Sequence, residues 1–137
     1  MPPTEPVPPD KSLEEVVHEV GLYPIEAYEF VQEGLGYTVT KIHGGRPKDP
    51  KVSRHIGGRE LCLGLREFAL LKWGLLAPTV LARWNISRTL DFGKIVFALV
   101  EHGHMQKTEE DQLDDFRDVY DFKAAFESGC YRIEMKT

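Results

Sequence analysis

The stretch that decides the fold reads Val80-Leu-Ala-Arg-Trp-Asn-Ile-Ser-Arg-Thr-Leu-Asp-Phe-Gly-Lys-Ile-Val-Phe-Ala-Leu-Val-Glu-His-Gly103. Its second half has apolar side chains at the spacing of one helix face, and these are Phe92, Ile95, Val96, Leu99 and Val100. Thr89 is predicted to cap this helix, and Asp91 in its first turn complements the helix dipole. Gly103 is expected to end it. The pattern therefore predicts a long amphipathic helix as the best-defined element of the chain.

The residues on either side of this helix suggest a winged helix-turn-helix. Pro78 opens a short helix before it, and residues 85–88 form a tight turn between the two. After Gly103, residues 105–108 and 116–120 are predicted as the two strands of a hairpin. A short helix, a turn, a long helix and a hairpin follow each other in winged-helix domains. The second half of the chain is therefore expected to be winged-helix-like.

The first half is predicted to be helical. Ser12 and Glu15 form a capping box, which indicates a helix that ends at Gly21. Pro24 suits the start of a second helix, and residues 37–42 fit either a continuation of that helix or a short strand. A third helix is expected over roughly residues 59–73.

The sequence as a whole indicates a mainly α, α+β fold. Asp121 is predicted to cap a last short helix, and residues 131–135 alternate like an edge strand. The expected architecture has five to six short helices and a small β-hairpin or sheet. A proline-rich tail over residues 1–11 precedes one globular domain over residues 12–137, a size typical of single domains.

Charge divides the chain into three parts although its net value is only -5. Residues 1–40 hold one basic and eight acidic side chains, and residues 41–94 hold eleven basic and four acidic ones. Residues 95–137 hold five basic and ten acidic side chains. This order has two interpretations: the acidic ends neutralise the basic middle, or a basic face is kept for an anionic partner.

The basic loop that precedes the third helix is the candidate anion or nucleic-acid site. Its members are Arg46, Lys48, Lys51, Arg54, His55 and Arg59. These side chains could follow a phosphate backbone, and Gly57-Gly58 could admit an anion to the helix N-terminus. The alternative is a solvated loop that docks on the acidic first helix. DNA recognition through the long helix is not favoured, because its predicted outward positions are Asp91, Lys94, Ala98 and Glu101.

Other kinds of site receive less support. His102 and His104 could face the same way and hold a metal, but a histidine at a helix C-terminus is favoured without any ligand, and no third ligand is identifiable. No catalytic residue and no cofactor are therefore predicted. Two cysteines, no signal-like N-terminus and no long apolar run lead us to expect a cytoplasmic protein without a membrane partner.

Five ordered blocks of sequence, residues 26–35, 54–61, 88–97, 107–111 and 115–122, carry a resemblance that spans about residues 24–133. They resemble a conserved family of planctomycete and verrucomicrobial bacteria that has no assigned function. The resemblance implies no catalytic residue. The sequence thus predicts a non-catalytic, regulatory or protein-interaction domain whose partner is another protein or a second copy of itself. The alternative is a nucleic-acid-binding regulator that uses residues 46–59.

Overall fold

The computed structural model describes residues 11–43, 56–105, 112–122 and 124–128, and the described part is mainly helical. Its five α-helices are α1 Leu13–Val20, α2 Ile25–His43, α3 Gly58–Trp73, α4 Ala77–Arg83 and α5 Thr89–Glu101. Shorter turns complete it: 3₁₀ turns at Gly74–Leu76 and Leu113–Phe116, and a π-helical turn at Ala124–Ser128.

The predicted helix starts and ends are largely confirmed. Ser12 Oγ accepts a hydrogen bond from the Glu15 amide at 3.1 Å, and the Glu15 carboxylate accepts one from the Ser12 amide at 2.9 Å. Gly21 ends α1 with φ of 70°, a conformation that a side chain disfavours. For residues 37–42 the structure selects the helical alternative, since α2 continues to His43.

Helices α2 and α3 run antiparallel and cross closely. Phe30 in the first half of α2 meets Trp73 at the end of α3, with ring centroids 5.1 Å apart. Farther along α2, Thr38 packs on Gly64, where an added Cβ would lie 2.8 Å from Thr38 Cγ2. Thr38 also donates a hydrogen bond to the Gly34 carbonyl at 2.7 Å. Small residues at the crossing therefore set the distance between the two helices.

Helix α5 lies in the middle of the core, and the prediction of which of its residues are exposed is partly wrong. Asp91 is 6% exposed and Ala98 is 8% exposed, although both were expected to point outward. Asp91 is buried because Tyr23 Oη donates to its Oδ1 at 2.6 Å, while the backbone amides of Ser87 and Arg88 donate to its Oδ2 at 2.9 and 3.2 Å. The Asp91 carboxylate thus links the α4–α5 turn by hydrogen bonds to Tyr23, which precedes α2.

The predicted β-hairpin and winged helix are not supported, since the described residues contain no strand. Residues 116–120 form a 3₁₀ turn and bends instead of a strand. The Thr89 hydroxyl donates to the Phe116 carbonyl at 2.6 Å and accepts from the Val119 amide at 3.1 Å, so these backbone groups bind α5 rather than a neighbouring strand. Thr89 is therefore not the cap of α5, and Arg88 occupies that position.

The remaining predicted elements have mixed outcomes. Asp121 Oδ2 accepts from the Ala124 amide at 2.9 Å, which confirms the predicted start of the last short helix, although its form is a π-helical turn. The proposed strand at residues 131–135, most of the proposed strand at residues 105–108 and the tail over residues 1–10 lie outside the described residues.

Candidate functional site

Two surfaces could bind a partner, and they lie at opposite ends of α3. At the C-terminal end of α3, three leucines are exposed within six residues, with Leu71 at 68%, Leu75 at 58% and Leu76 at 63%. We call these three residues the apolar corner. At the N-terminal end, the start of α3 lines a cavity of about 460 Å³.

The apolar corner is a compact turn between α3 and α4. The Gly74 amide donates to the Leu70 carbonyl, which closes the last turn of α3, and the Ala77 amide donates to the Gly74 carbonyl. Gly74 has φ of 52°, so the chain changes direction there in a conformation that favours glycine. Leu75 and Leu76 follow directly in the 3₁₀ turn, and Leu71 lies in the last turn of α3, three residues before Gly74. The corner therefore presents three apolar side chains from a fixed backbone.

Aromatic residues pack together at the C-terminal end of α3. Trp73 lies between Leu71 and Leu75 in sequence, and its ring centroid is 5.3 Å from that of Trp84, in an edge-to-face arrangement. Phe30 of α2 contacts both tryptophans, at 5.1 and 5.8 Å. Such ring pairs are rigid and make large contributions to packing. The C-terminal end of α3 is therefore packed against α2 and the residue that follows α4.

An acidic helix face borders the corner. Glu26, Glu29 and Glu33 are exposed and lie at i, i+3 and i+7 of α2, so they share one face, which we call the acidic stripe. Lys72 connects the stripe to the corner, because its Nζ lies 3.7 Å from Glu33 Oε1. The same Nζ is 5.3 Å from the centroid of the Phe68 ring. The one lysine within the corner sequence is thus already engaged by a carboxylate and an aromatic face.

The cavity at the start of α3 contains charges of both signs. It is lined by Gly57, Gly58, Arg59, Glu60, Asp115, Arg117, Asp118 and Val119. The Gly57 amide donates to Glu60 Oε1 at 3.0 Å, and Arg117 Nε donates to Asp114 Oδ1 at 3.1 Å. An anion entering here would meet two guanidinium groups but also three carboxylates, so the lining does not favour negative charge.

The structure tests one member of the predicted basic site. Arg59 is exposed in the first turn of α3, where it lines the cavity together with Arg117. The other predicted members, Arg46, Lys48, Lys51, Arg54 and His55, lie outside the described residues. Sequence reasoning missed Arg117 as a neighbour of Arg59, because the two are 58 positions apart and meet only through the packing of residues 113–116 on α3.

The two histidines considered as metal ligands instead hold α1 against the end of α5. His104 Nε2 lies 2.7 Å from the Lys11 carbonyl, and His102 Nε2 lies 4.0 Å from Glu19 Oε1. The described residues contain no group of three histidine, cysteine or acidic side chains that could hold a metal ion.

The buried cysteine is a packing residue. Cys62 is fully buried, and desolvation raises the pKa of its thiol to about 12. A thiol with so high a pKa is almost entirely protonated near neutral pH, and the thiolate is the nucleophilic form. Burial likewise raises the pKa of Tyr120, whose hydroxyl donates to the Cys62 carbonyl at 2.8 Å.

Comparisons of the chain with protein-family models, with curated proteins and with solved structures gave no match. None of the helices in the described residues is both long enough and apolar enough to cross a membrane.

Proposed function

We propose that this protein is a non-catalytic protein-interaction domain that binds its partner through the apolar corner. The observation that carries the proposal is the clustering of Leu71, Leu75 and Leu76, each more than half exposed. Single exposed apolar residues are common on soluble proteins, whereas clustered ones mark interaction surfaces. No matching family or relative assigns a residue role, so the proposal rests on this surface.

The rest of the described surface offers an internal contrast. Leu22, Ile42, Leu63 and Leu113 are also exposed, but each is separated from the next by many positions in the chain. Leu63 lies on α3 itself, two turns before Leu71, and has 44% of its surface exposed. The protein therefore has both clustered and scattered exposed apolar residues, and substitution of the scattered ones is a control for substitution of the corner.

The test compares a corner variant with a control variant. The corner variant carries Leu71→Gln, Leu75→Gln and Leu76→Gln. The control carries Ile42→Gln, Leu63→Gln and Leu113→Gln, all outside the part of the molecule that holds the corner. All the replaced side chains are exposed, so both proteins should fold. We expect wild type and control to retain a partner in affinity capture or to self-associate in light scattering, and the corner variant to lose about tenfold or more of that binding.

Two results would contradict the proposal. One is a wild-type protein that stays monomeric at all concentrations and captures no protein. The other is a corner variant that binds as well as the control. Circular dichroism of both variants should show the wild-type helical signal, which separates a loss of binding from a loss of folding.

A second candidate function is nucleic-acid binding near Arg59. Support comes from the exposure of Arg59 beside Arg117 and from the N-terminus of α3, where Gly57 offers no side chain to cap the first amides. The carboxylates that share the cavity oppose it. A salt titration with duplex DNA decides the question, since even non-specific binding is electrostatic, and an absence of binding at low salt removes this candidate.

A further inference from the structure

We propose that the partner segment which the apolar corner accepts is cationic and amphipathic, with apolar side chains beside lysine or arginine. This inference rests on the proposed function and adds the chemistry of the partner. It is drawn from the acidic stripe, which borders the corner through the Lys72–Glu33 ion pair. A segment that covers the leucines would lie beside exposed carboxylates, and complementary charge gives such contacts specificity and a fast association rate.

The position of the acidic stripe follows from the helix packing. Because α2 and α3 are antiparallel, the N-terminal end of α2 lies beside the C-terminal end of α3, where the corner is. Glu33 is opposite Lys72, and Glu29 and Glu26 follow on the same face in the direction of the α2 N-terminus. The exposed glutamates are therefore on the part of α2 that is nearest to the α3–α4 turn.

Helix α1 packs on α2 and α5, and it is also acidic. Its exposed Glu14 and Glu15 lie in the first turn. The described residues from Lys11 to Glu33 include six glutamates and one lysine. Residues 41–94, which carry most of the positive charge of the chain, contribute Lys72 at this border. The half of α2 that lies nearest the corner therefore carries only negative formal charge, while Lys72 and the exposed Arg83 of α4 are cations on the corner's own elements.

The same charges disfavour a second copy as the occupant. In a twofold contact the same patch lies on both copies, so a corner-to-corner dimer would bring two acidic stripes together. Like charges across an interface oppose association, whereas a cationic partner relieves them. Recognition of an amphipathic segment by its apolar face, with charge setting specificity, is a common mode of peptide binding.

The experiment uses two short synthetic peptides with the same leucine pattern, one with lysine and one with glutamate at every polar position. Binding to the full chain is measured by fluorescence anisotropy at about 0.05 M and about 0.3 M salt. We expect the leucine–lysine peptide to bind about tenfold or more tightly than the leucine–glutamate peptide, with an affinity that falls as salt rises. The corner variant should lose about tenfold in affinity for it.

Charge variants isolate the acidic stripe. Glu26→Gln with Glu29→Gln should weaken binding of the leucine–lysine peptide by about fivefold and reduce its salt dependence. The control is Glu101→Gln with Asp118→Asn, which removes the same number of charges from α5 and from the opposite end of α3. We expect the control to bind within about twofold of wild type.

The outcomes separate this inference from the proposed function. The inference of a cationic partner is overturned if the two peptides bind equally, or if the control pair weakens binding of the leucine–lysine peptide as much as the acidic-stripe pair does. Either result leaves the corner as a binding surface. Self-association through the corner, seen by light scattering and lost in the corner variant, has the same consequence. If the corner variant binds the leucine–lysine peptide as tightly as wild type does, the corner itself is not the site.

Discussion

The crossing of α2 and α3 gives the sharpest test of the fold. At Gly64 an added Cβ would lie 2.8 Å from Thr38 Cγ2 and 2.9 Å from Thr38 Cβ, closer than carbon atoms approach in folded proteins. Thr38 is 2% exposed, and its hydroxyl donates to the Gly34 carbonyl, so it has little room to move. Gly64→Ala must therefore separate the helices or break this hydrogen bond.

The expected magnitude combines opposing effects. Overpacking costs about 1–3 kcal/mol, and loss of the Thr38 hydrogen bond adds about 1 kcal/mol. Replacing a helical glycine with alanine raises the free energy of unfolding by about 1 kcal/mol, because alanine has the higher helix propensity. Gly64→Ala should thus lower the free energy of unfolding by about 1–3 kcal/mol. Gly36→Ala is the matched control, because nothing lies within 4 Å of a Cβ at that position of α2, and it should stabilise the protein by about 0.5–1 kcal/mol.

Urea unfolding followed by circular dichroism measures both variants. Thr38→Ala should couple to Gly64→Ala in a double-mutant cycle, since it removes two of the three atoms that the new Cβ meets. If Gly64→Ala stabilises the protein as much as Gly36→Ala does, the close crossing is refuted. Strictly additive effects of the two crossing substitutions would contradict it in the same way.

Three further measurements test individual polar and ionisable side chains. Tyr28→Phe should leave the free energy of unfolding in urea unchanged or slightly raise it, because the Tyr28 hydroxyl is buried without a hydrogen-bond partner. Tyr23→Phe should lower the free energy of unfolding by about 1.5–3 kcal/mol, because it removes a hydrogen bond to the buried Asp91 carboxylate. Equal effects of the two substitutions would contradict this difference. In a variant that keeps Cys62 as its only cysteine, a thiol reagent should label the native protein only as fast as it unfolds, so rapid labelling would exclude the buried thiol. Hydrogen bonds from Lys41 and Tyr37 lower the pKa of Glu67, so its contribution to stability is present above its unfolded pKa of about 4.3 and is lost as the pH falls through the lower folded value. Glu67→Gln should therefore lose less stability than wild type between about pH 5 and pH 3, and parallel curves would refute the assignment.

The sequence predicts the helices well because their signals are local. Ser12 with Glu15, Gly21 and Pro24 mark ends that the structure confirms to within a residue or two. These signals depend on bonds between residues three or four positions apart, which the sequence displays directly. Gly74 likewise ends α3 as expected.

The errors arise where a residue bonds to a distant part of the chain. Asp91 looks like a solvent-facing residue of the first helical turn, but Tyr23, 68 positions away, donates to it and makes its burial possible. Thr89 looks like a cap, but its hydroxyl bonds to the Phe116 carbonyl. No local pattern reveals either pairing, and both change which face of α5 is available.

The candidate site was only partly predictable for a related reason. The basic loop was visible as a run of charge, and Arg59 is exposed as that interpretation requires. The apolar corner was not visible, because Leu71, Leu75 and Leu76 look like ordinary core residues in a helical pattern. Only the three-dimensional structure shows that all three are more than half exposed.

The burial of α5 also determines where binding can occur. A recognition helix must present its N-terminal residues to the DNA groove. Here Thr89 bonds to the Phe116 carbonyl, and a Cβ at Gly93 would lie 2.7 Å from Phe116 Cβ, so the segment around Phe116 covers this half of α5. The helix that most resembles a DNA reader is thus committed to the core. Surface for a partner remains at the end of α3 and along the first half of α2. The exposed side chains there are mostly leucine and glutamate, and the exposed Lys72 is paired with Glu33.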